Sequence, residues 1–376
     1  MSVLKHINRP LVRFSWNPDR RSVRIREVVE ENRNFLPLDI RDSLTDEALA
    51  RWLRHRAIPG NRAYVENFLA KQGLGLQDTQ GILGICKGLS LADVHWVDDE
   101  SSPARFADVD LFHHPFRTLL AALAFTGKGS YGTPRFQSSP EYTTHGALAK
   151  CWRRVGGRIL LFKAGSSGAA NTGNEPLAEF YAAQVAEVLG VPHVPYGLSR
   201  FKDRLCSTCP LFTSPDVSFI PLSRMLPGAT SLEGVLSGLE KLGAGLVPQF
   251  QAVLLLDALL CNPDRHLGNL GVLVGNRENR ILRMAPAFDH GLALFPFAME
   301  DDWHHLEAYS RVKRPPLYAE YLEPFRQGVP PEFQKRLATM DDFRFRRHPR
   351  VNWPDERLRC VEEFLRRRSS SLRRLS

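Results

Sequence analysis

The sequence predicts an α+β fold in which a β-rich segment lies between two mainly helical ones. Residues 36–100 carry apolar residues at helical spacing, and residues 150–164 have the pattern of two strands around a Gly-Gly pair. Residues 250–261 are apolar nearly all round, as in a helix buried in a core. We therefore predict a helical N-terminal subdomain at 1–110, a β-rich lobe with one helix at 111–222 and a helical lobe at 223–376.

The N-terminal segment predicts a small helical subdomain. Residues 1–35 are polar and Arg-rich with little periodicity, so no element is assigned to them. Thr45 is the expected N-cap of the first helix, the sequence IPGN at 58–61 breaks the pattern, and residues 81–97 continue as one or two short helices. A helix-turn-helix is the alternative, but no basic recognition helix stands out, which favours a subdomain that packs against the rest of the chain.

The pattern changes to strand, turn and strand from about residue 140. The stretch TTHGALAKCWRR leads through VGGR into ILLFKAG, and the Gly-Gly pair predicts a hairpin turn. A helix from Glu179 to Leu189 follows, and Gly190 is its expected stop signal. VPHVPYGLSRF and RLCSTCPLF then resume the character of strands.

Cysteine usage and hydropathy favour a soluble cytoplasmic protein. The six cysteines are mostly scattered, and Cys206 and Cys209 form a lone C-x-x-C, which favours buried thiols over a metal or redox site. The N-terminus lacks an apolar stretch long enough for the core of a signal peptide. The most apolar stretch, at 250–261, is too short to span a bilayer and contains Asp257, so we expect no membrane association.

Two acidic positions in the C-terminal half predict phosphoryl transfer. Asp264, Arg265, His266 and Asn269 lie in one loop after the apolar helix, and Asp289 follows an apolar strand. Phosphoryl transfer needs Mg²⁺ held by oxygen ligands and an acceptor hydroxyl positioned by a carboxylate. Asp264 would face the acceptor, Asn269 would face the metal, and Asp289 would supply the main carboxylate ligand. Each motif is weak alone, but their order and their placement beside strands make the combination specific.

A lysine and a glutamate farther upstream fit the same chemistry. Lys163 ends the apolar strand ILLFK, where an ammonium without a partner would be costly. Glu179 lies on the next helix, and kinases pair a strand Lys with a helix Glu to hold the Lys against the nucleotide phosphates. Glu175, one turn earlier on the same face, is the alternative partner. The plainer interpretation is an edge lysine that reaches solvent and an exposed glutamate.

These residues resemble the HipA-like serine/threonine kinases, in particular a longer bacterial and phage-associated branch of that family. The matching stretches occur in the family's order over about residues 140–300, and they are TTHGALAKCWR, ILLFKAG, NEPLAEFYAAQVAEVLGVPHVPY, LLLDALLCNPDRHLGNLGVL and APAFDHGLALF. Residues 87–97 resemble a helical N-terminal segment of that branch. The N-x-D-R-H-x-x-N pattern also resembles phosphoinositide kinases.

The resemblance implies a two-lobed protein-kinase-like fold that binds ATP and Mg²⁺. It implies that Lys163 contacts the ATP phosphates, that Glu179 orients Lys163 and that Asp264 is the catalytic base. It further implies that Asn269 and Asp289 bind Mg²⁺ and that His266 supports the loop.

TTHGALAK occupies the place of the family's phosphate-covering loop, which relatives autophosphorylate, usually on a Ser. Thr143 falls at that position, so it is the candidate for autophosphorylation. Gly146 and Lys150 are the candidates for nucleotide contact in this loop, although a solvated hairpin lysine is an equal alternative for Lys150.

The predicted function is therefore an ATP- and Mg²⁺-dependent protein serine/threonine kinase, with the toxin of a toxin–antitoxin pair as the expected context. Relatives act on proteins of translation, including an aminoacyl-tRNA synthetase, and their antitoxin supplies the DNA-binding domain, so contact with DNA is expected only indirectly. The alternatives are a phosphoinositide-type lipid kinase and a non-catalytic regulatory module that holds DNA or a partner. The TTHGALAK match disfavours the first, and the filled catalytic positions disfavour the second.

The net charge of +9 is concentrated near the C-terminus. Residues 343–376 contain eleven Arg and four acidic residues, a local charge of +7, which leaves 39 basic and 37 acidic residues in 1–342. A solvated basic tail is expected, since clustered like charges usually stay in water. The alternative is a docking surface for an acidic partner or nucleic acid, tuned by phosphorylation of Ser369, Ser370 or Ser371.

Overall fold

The computed structural model describes residues 1–58, 64–70, 73–128, 139–243 and 245–375. Its strands are β1 (Ser2–His6), β2 (Arg9–Trp16), β3 (Val23–Val28), β4 (His95–Asp99), β5 (Lys150–Val155), β6 (Arg158–Ala164), β7 (Gly197–Phe201), β8 (Arg204–Pro210), β9 (Val217–Pro221), β10 (Gly271–Gly275) and β11 (Arg280–Met284). Its α-helices are α1 (Asp46–Arg54), α2 (Val65–Ala70), α3 (Thr79–Cys86), α4 (Phe106–Val109), α5 (Thr118–Thr126), α6 (Glu175–Leu189), α7 (Leu222–Met225), α8 (Leu232–Leu242), α9 (Leu246–Leu260), α10 (Glu300–Trp303), α11 (Leu306–Arg311), α12 (Pro331–Ala338) and α13 (Asp355–Arg373). The 3₁₀ helices are Glu30–Phe35, Arg41–Ser43, Pro140–Thr143 and Glu323–Phe325. This mixture confirms the predicted α+β fold class.

The chain divides into two compact units, each drawn from separate stretches of sequence. The first comprises Met1–Lys163, Leu211–Ile220 and Val274–Arg280. The second comprises Ala164–Pro210, Pro221–Leu273 and Ile281–Ser376. The predicted segments 1–110, 111–222 and 223–376 follow a different division of the chain, and they remain a prediction.

In the first unit, residues 1–35, for which the sequence predicts no element, contribute β1, β2 and β3 to an antiparallel sheet. Its strand order is β3-β2-β1-β4, and β1 pairs with both β2 and β4. Leu11 and Phe14 of β2 are buried, whereas Arg13 forms ion pairs with Glu27 of β3 at 2.8 Å and with Glu100 at 2.7 Å. The prediction of a helical subdomain at 1–110 is therefore wrong for these strands. Arg13 obscures the apolar alternation of β2, because its acidic partners Glu27 and Glu100 are not nearby in sequence.

The helical interpretation of the rest of this segment is partly confirmed. α1 begins after Thr45, whose hydroxyl accepts a hydrogen bond from the Ala48 amide at 3.1 Å. The predicted break at 58–61 lies almost entirely outside the described residues. The chain leaves α3 at Cys86 and enters β4, so the helical prediction for residues 87–97 is wrong where β4 extends the sheet beside β1. Residues His95–Asp99 form a strand because they pair with β1 at the start of the chain.

The predicted hairpin is confirmed as β5 and β6, which pair antiparallel. Gly156 and Gly157 form the turn with φ of 55° and 78°. Two residues with positive φ are what a two-residue hairpin turn requires, and glycine adopts that conformation without a steric penalty. The register places Lys150 directly opposite Lys163.

In the second unit, α6 confirms the predicted helix and extends it toward the N-terminus, to Glu175. Gly190 ends it in the left-handed conformation with φ of 63°, as its stop signal predicts. β7 and β8 confirm the predicted strand character, and they pair antiparallel. Cys206 and Cys209 lie three residues apart on β8, so their side chains point to opposite faces and do not share a metal or a disulfide.

The apolar helix predicted at 250–261 is α9, and nearly all of its side chains are buried. Asp257 is fully buried within it. Among the residues that the structure describes, no helix is both long and apolar enough to cross a membrane.

The expectation of a solvated basic tail is corrected by α13, which continues through residues 366–373 of the second unit. Arg368 donates to the Ala258 carbonyl at 3.1 Å, and Arg373 forms an ion pair with Asp341. Ser369 is fully buried and donates to the Leu337 carbonyl at 2.7 Å, so its hydroxyl is not accessible to a kinase in the folded chain. An apolar stripe along the helix buries this segment in spite of its charge.

Candidate active site

The loop that follows α9 holds Asp264 by its backbone on both sides. The Asp264 amide donates to Oδ1 of Asn262 at 3.1 Å, and the Asp264 carbonyl accepts from Nδ2 of Asn269 at 3.0 Å. Cys261, which ends α9, has φ of 50° and so turns the chain sharply into the loop. The side chain of Asp264 is 41% exposed, which leaves its carboxylate accessible to an incoming hydroxyl.

Asn269 is oriented for the role of a metal ligand. Because its amide nitrogen donates to the Asp264 carbonyl, its Oδ1 oxygen points away from that contact. A carbonyl oxygen is one of the ligands that Mg²⁺ prefers. This hydrogen bond also closes the loop between Asp264 and Asn269, which is the five-residue spacing that the sequence singled out.

His266 supports the loop, as the resemblance implies. Its Nδ1 accepts a hydrogen bond from the Gly268 amide at 3.0 Å. A Cβ atom at Gly268 would lie 2.7 Å from the ring of His266, so only glycine allows the ring to lie this close. The Nε2 of His266 is 3.9 Å from Oδ1 of Asp264, too long for a hydrogen bond.

A buried ion pair lies beneath this loop. Arg265 donates from Nε to Oδ2 of Asp257 at 2.8 Å and from Nη2 to Oδ1 at 3.2 Å. Burial lowers the pKa of Arg265, but the adjacent Asp257 carboxylate outweighs burial, and the net shift is upward. Arginine stays protonated in proteins, so this guanidinium is charged and bridges Asp257 on α9 to the loop.

Arg265 also joins the two loops that carry the predicted metal ligands. Its Nη1 donates to the Asn269 carbonyl at 3.0 Å and to the Phe288 carbonyl at 2.7 Å. Its Nη2 lies 2.9 Å from Nδ1 of His290. One guanidinium therefore contacts the backbone of Asn269 and both neighbours of Asp289, which brings these loops together.

Asp289 lies five residues beyond β11 in a conformation that is uncommon for a non-glycine residue, with φ of 58°. Its amide donates to the Tyr196 hydroxyl at 3.0 Å. Burial raises the pKa of Tyr196 well above its usual value, and the carboxylates of Glu179 and Asp289 and the Cys209 thiol raise it further. The phenol is therefore neutral and lies within the electrostatic field of two predicted site residues.

The two glutamates of α6 differ in their surroundings. Glu179 is fully buried. The carboxylate of Glu175 accepts a hydrogen bond from the Ser166 amide at 3.0 Å, and a Cβ at Gly165 would lie 2.7 Å from its other oxygen. Glu175 thus closes the loop that precedes α6 through one of its carboxylate oxygens.

In the first unit, Lys150 and Lys163 face each other across the β5–β6 hairpin. Their residues are only 5% and 9% exposed. Like charges directly opposite each other on a sheet repel, and an anion bound beside them would reduce that repulsion. A Cβ at Gly146 would lie 2.1 Å from Nζ of Lys150, so the glycine leaves the space that the ammonium occupies.

Thr143 is buried rather than displayed on a loop. It is the last residue of a 3₁₀ helix, and its hydroxyl donates to the Leu89 carbonyl at 3.0 Å. The neighbouring Thr144 donates to the Pro140 carbonyl and accepts from Nε1 of Trp152. Phosphorylation of Thr143 therefore requires this turn to open first.

The sequence places Arg265 in the loop without indicating its contacts, and it does not indicate Asp257 or Tyr196 as neighbours of the candidate site. In the sequence, Asp257 interrupts an apolar stretch. A carboxylate in an otherwise apolar helix, eight residues before an arginine, was a usable signal for a buried ion pair. Tyr196 carried no such signal, because its partner Asp289 is 93 residues away.

The donor set fits Mg²⁺ bound together with nucleotide phosphates. Asn269 and Asp289 would supply oxygen ligands, and Mg²⁺ is commonly held by one or two such groups while substrate phosphates complete its coordination. Within the described ranges, no group of three His, Cys, Asp or Glu side chains converges on a possible metal position.

Comparisons with known proteins identify the fold. No protein-family model matches the chain, and neither does any curated protein sequence. The chain is similar to HipA of Shewanella oneidensis MR-1, solved in a complex of a toxin–antitoxin system with HipB and its operator DNA. That similarity has a TM-score of 0.61 and 12% identity, and it covers 100% of this chain and 99% of that chain. The proinflammatory kinase CtkA of Helicobacter pylori matches with a TM-score of 0.49 and 17% identity over 60% of this chain and 92% of its own.

The chain therefore has the fold of HipA over its whole length. This similarity supports the HipA-like resemblance seen in the sequence stretches, at the level of the fold.

Proposed function

We propose that the chain is an ATP- and Mg²⁺-dependent HipA-like protein serine/threonine kinase. The observation that carries the proposal is Arg265, which joins the loop of Asp264 and Asn269 to the loop of Asp289. Within a HipA fold, this contact supports Asp264 as the proposed base and Asn269 and Asp289 as the proposed oxygen ligands of one site. Positioning of this kind is most of what phosphoryl transfer asks of a protein.

Each residue has a role in this proposal. Asp264 accepts the proton of the acceptor hydroxyl as that oxygen forms a bond to the γ-phosphorus and the bond to the β-phosphate oxygen breaks, which releases ADP. Mg²⁺ neutralises charge on the phosphates when it is bound. Asn269 and Asp289 would hold the metal. His266 stabilises the loop through the Gly268 amide.

The lysine pair would bind the nucleotide. Lys150 and Lys163 are buried residues that lie opposite each other on the hairpin, and their ammonium groups would contact the triphosphate. Gly146 leaves room for Lys150. Glu179 is proposed to orient Lys163, with α6 as the counterpart of the kinase helix that carries this glutamate.

Transfer of labelled γ-phosphate to the protein itself or to proteins of a host lysate tests this proposal. We expect Asp264→Ala and Asp289→Asn to abolish the signal. The exposed Asp342→Asn is the matched control, since it removes a carboxylate of the same unit outside the site. Unchanged transfer in the first two variants contradicts the residue assignment. Turnover of phosphatidylinositol without any phosphorylated protein would favour the lipid kinase instead.

We propose Thr143 as a conditional autophosphorylation site. The added phosphate carries nearly two negative charges at neutral pH, and it would break the bond to the Leu89 carbonyl and repel bound ATP. Mass spectrometry after incubation with ATP and Mg²⁺ should find modification that increases as ATP affinity decreases. Unmodified Thr143 in protein whose activity decays would contradict this role.

A small antitoxin and a protein of translation are the proposed partners, and the cytoplasm is the proposed location. Support comes from the HipA structure, which was solved with HipB and operator DNA. We expect the chain alone to show no salt-sensitive DNA affinity, and to gain it only in complex with a helix-turn-helix protein encoded beside it. Strong DNA binding by the isolated chain contradicts this arrangement.

A further inference from the structure

Tyr196 lies on a segment that runs beside the approach to Asp289. The Val194 amide donates to the Ala287 carbonyl at 2.9 Å, and the Ala287 amide donates to the Pro192 carbonyl at 2.8 Å. This short parallel pairing places residues 192–196 alongside the stretch that leads from β11 into the loop of Asp289. Both stretches belong to the second unit.

One peptide unit in this loop is held at both of its polar ends. The carbonyl of Phe288 accepts from Nη1 of Arg265 at 2.7 Å. The amide of the same peptide, at Asp289, donates to the Tyr196 hydroxyl at 3.0 Å. These two side chains come from different segments of the chain, so they fix the orientation of the peptide plane.

The orientation of the Phe288–Asp289 peptide plane matters because Asp289, on its C-terminal side, has an uncommon backbone conformation. Asp289 has φ of 58°, a region in which a residue with a Cβ is strained by roughly 1–2 kcal/mol. A peptide that lost one of its two contacts could rotate toward a relaxed conformation. That rotation would turn the Asp289 carboxylate away from its present direction.

We propose that Tyr196 is a positioning residue that fixes the Phe288–Asp289 peptide so that the Asp289 carboxylate stays directed at the metal. This inference rests on the proposed kinase function. Arg265 holds the carbonyl end through the buried pair with Asp257, and Tyr196 holds the amide end. The phenol oxygen accepts the hydrogen bond of the Asp289 amide, and through this contact Tyr196 would position the ligand.

The variant Tyr196→Phe removes the acceptor and keeps the ring. The matched control is Tyr181→Phe, which removes the buried hydroxyl that donates to Oδ1 of Asn352 at 2.7 Å in the same unit. Two measurements are made on the full chain. The first is hydrogen exchange at the Asp289 amide by NMR, and the second is binding of Mn²⁺, as a probe for Mg²⁺, in the presence of a non-hydrolysable ATP analogue.

We expect the Asp289 amide to exchange about five- to tenfold faster in Tyr196→Phe, as expected for loss of one hydrogen bond. We expect the dissociation constant for Mn²⁺ to rise about tenfold, the lower end for loss of a group that supports a metal ligand. Tyr181→Phe should change neither quantity, although it lowers the midpoint of thermal unfolding.

Three other outcomes would contradict the contact, the positioning role or the kinase proposal. Unchanged exchange in Tyr196→Phe overturns the proposed contact. Faster exchange with an unchanged Mn²⁺ constant overturns the positioning role. A wild-type chain that binds no Mn²⁺ with the ATP analogue overturns the kinase proposal itself, and the positioning role falls with it, whereas the exchange result still reports on the contact.

Discussion

The buried pair of Asp257 and Arg265 allows stability and activity to be separated. The single variant Arg265→Met leaves the Asp257 carboxylate buried without its cation. The double variant Asp257→Leu with Arg265→Met replaces both charges by apolar groups of similar length. Both variants remove the donors to the Asn269 and Phe288 carbonyls.

The expected magnitudes follow from the burial of the pair, since both side chains are at most 2% exposed. Breaking such a pair from one side costs about 3–5 kcal/mol of the free energy of unfolding. The two lost carbonyl hydrogen bonds add about 1 kcal/mol each. The double variant has no unpaired charge, so its free energy of unfolding should be only about 2 kcal/mol below that of the wild-type chain.

Activity should not recover with stability. Both variants release the two loops that Arg265 joins, and a misplacement of about 1 Å in a site can cost about 100-fold in rate. Urea unfolding measures the free energy of unfolding, and γ-phosphate transfer measures kcat for the same samples. The control is Arg336→Met, which removes an arginine that donates to the carbonyls of Leu189 and Gly190.

A double variant with wild-type kcat would refute this reasoning, because the joined loops would then be unnecessary for catalysis. If Arg265→Met is as stable as wild type, the expected stability cost is wrong, because other groups would then have to compensate the charge of the Asp257 carboxylate. Loss of activity in Arg336→Met would mean that the assay reports general destabilisation.

Three further perturbations follow from the first unit. Burial lowers the pKa of His6 to about 3, and the charges of His95 and Arg9 add to this shift while Asp93 opposes it. Neutral His6 therefore stabilises the fold above pH 6.5, and this contribution is lost as pH falls toward 3. In the wild-type chain, this titration lowers the free energy of unfolding by about 2 kcal/mol between pH 7 and pH 5, and His6→Phe should abolish that decrease. Urea titrations at both pH values measure it, and the same pH dependence in both proteins contradicts this prediction. Gly146→Ala should weaken ADP binding about tenfold by calorimetry because it displaces Lys150, whereas Gly168→Ala, with similarly positive φ and open space, should not. Lys150→Met should weaken ADP binding at least about tenfold, while the exposed Lys202→Met leaves it unchanged; equal affinities would contradict contact between Lys150 and the nucleotide.

The sequence by itself determined the elements whose signals are local. The Gly-Gly turn, the N-cap at Thr45, the stop at Gly190 and the buried helix α9 all depend on residues within a few positions of one another. Spacing likewise predicted that Asp264 and Asn269 share a loop, and the hydrogen bond between them agrees with it.

Tertiary structure alone decided the elements whose partners are distant. β4 became a strand because it pairs with β1 at the start of the chain, and α13 is buried because its apolar stripe meets the second unit's core. Arg265 and Tyr196 acquire their roles only when Phe288 and Asp289 arrive from later in the chain. Local pattern predicts where a side chain points along its own element, whereas the contact that gives it a function depends on which distant segment packs against that element.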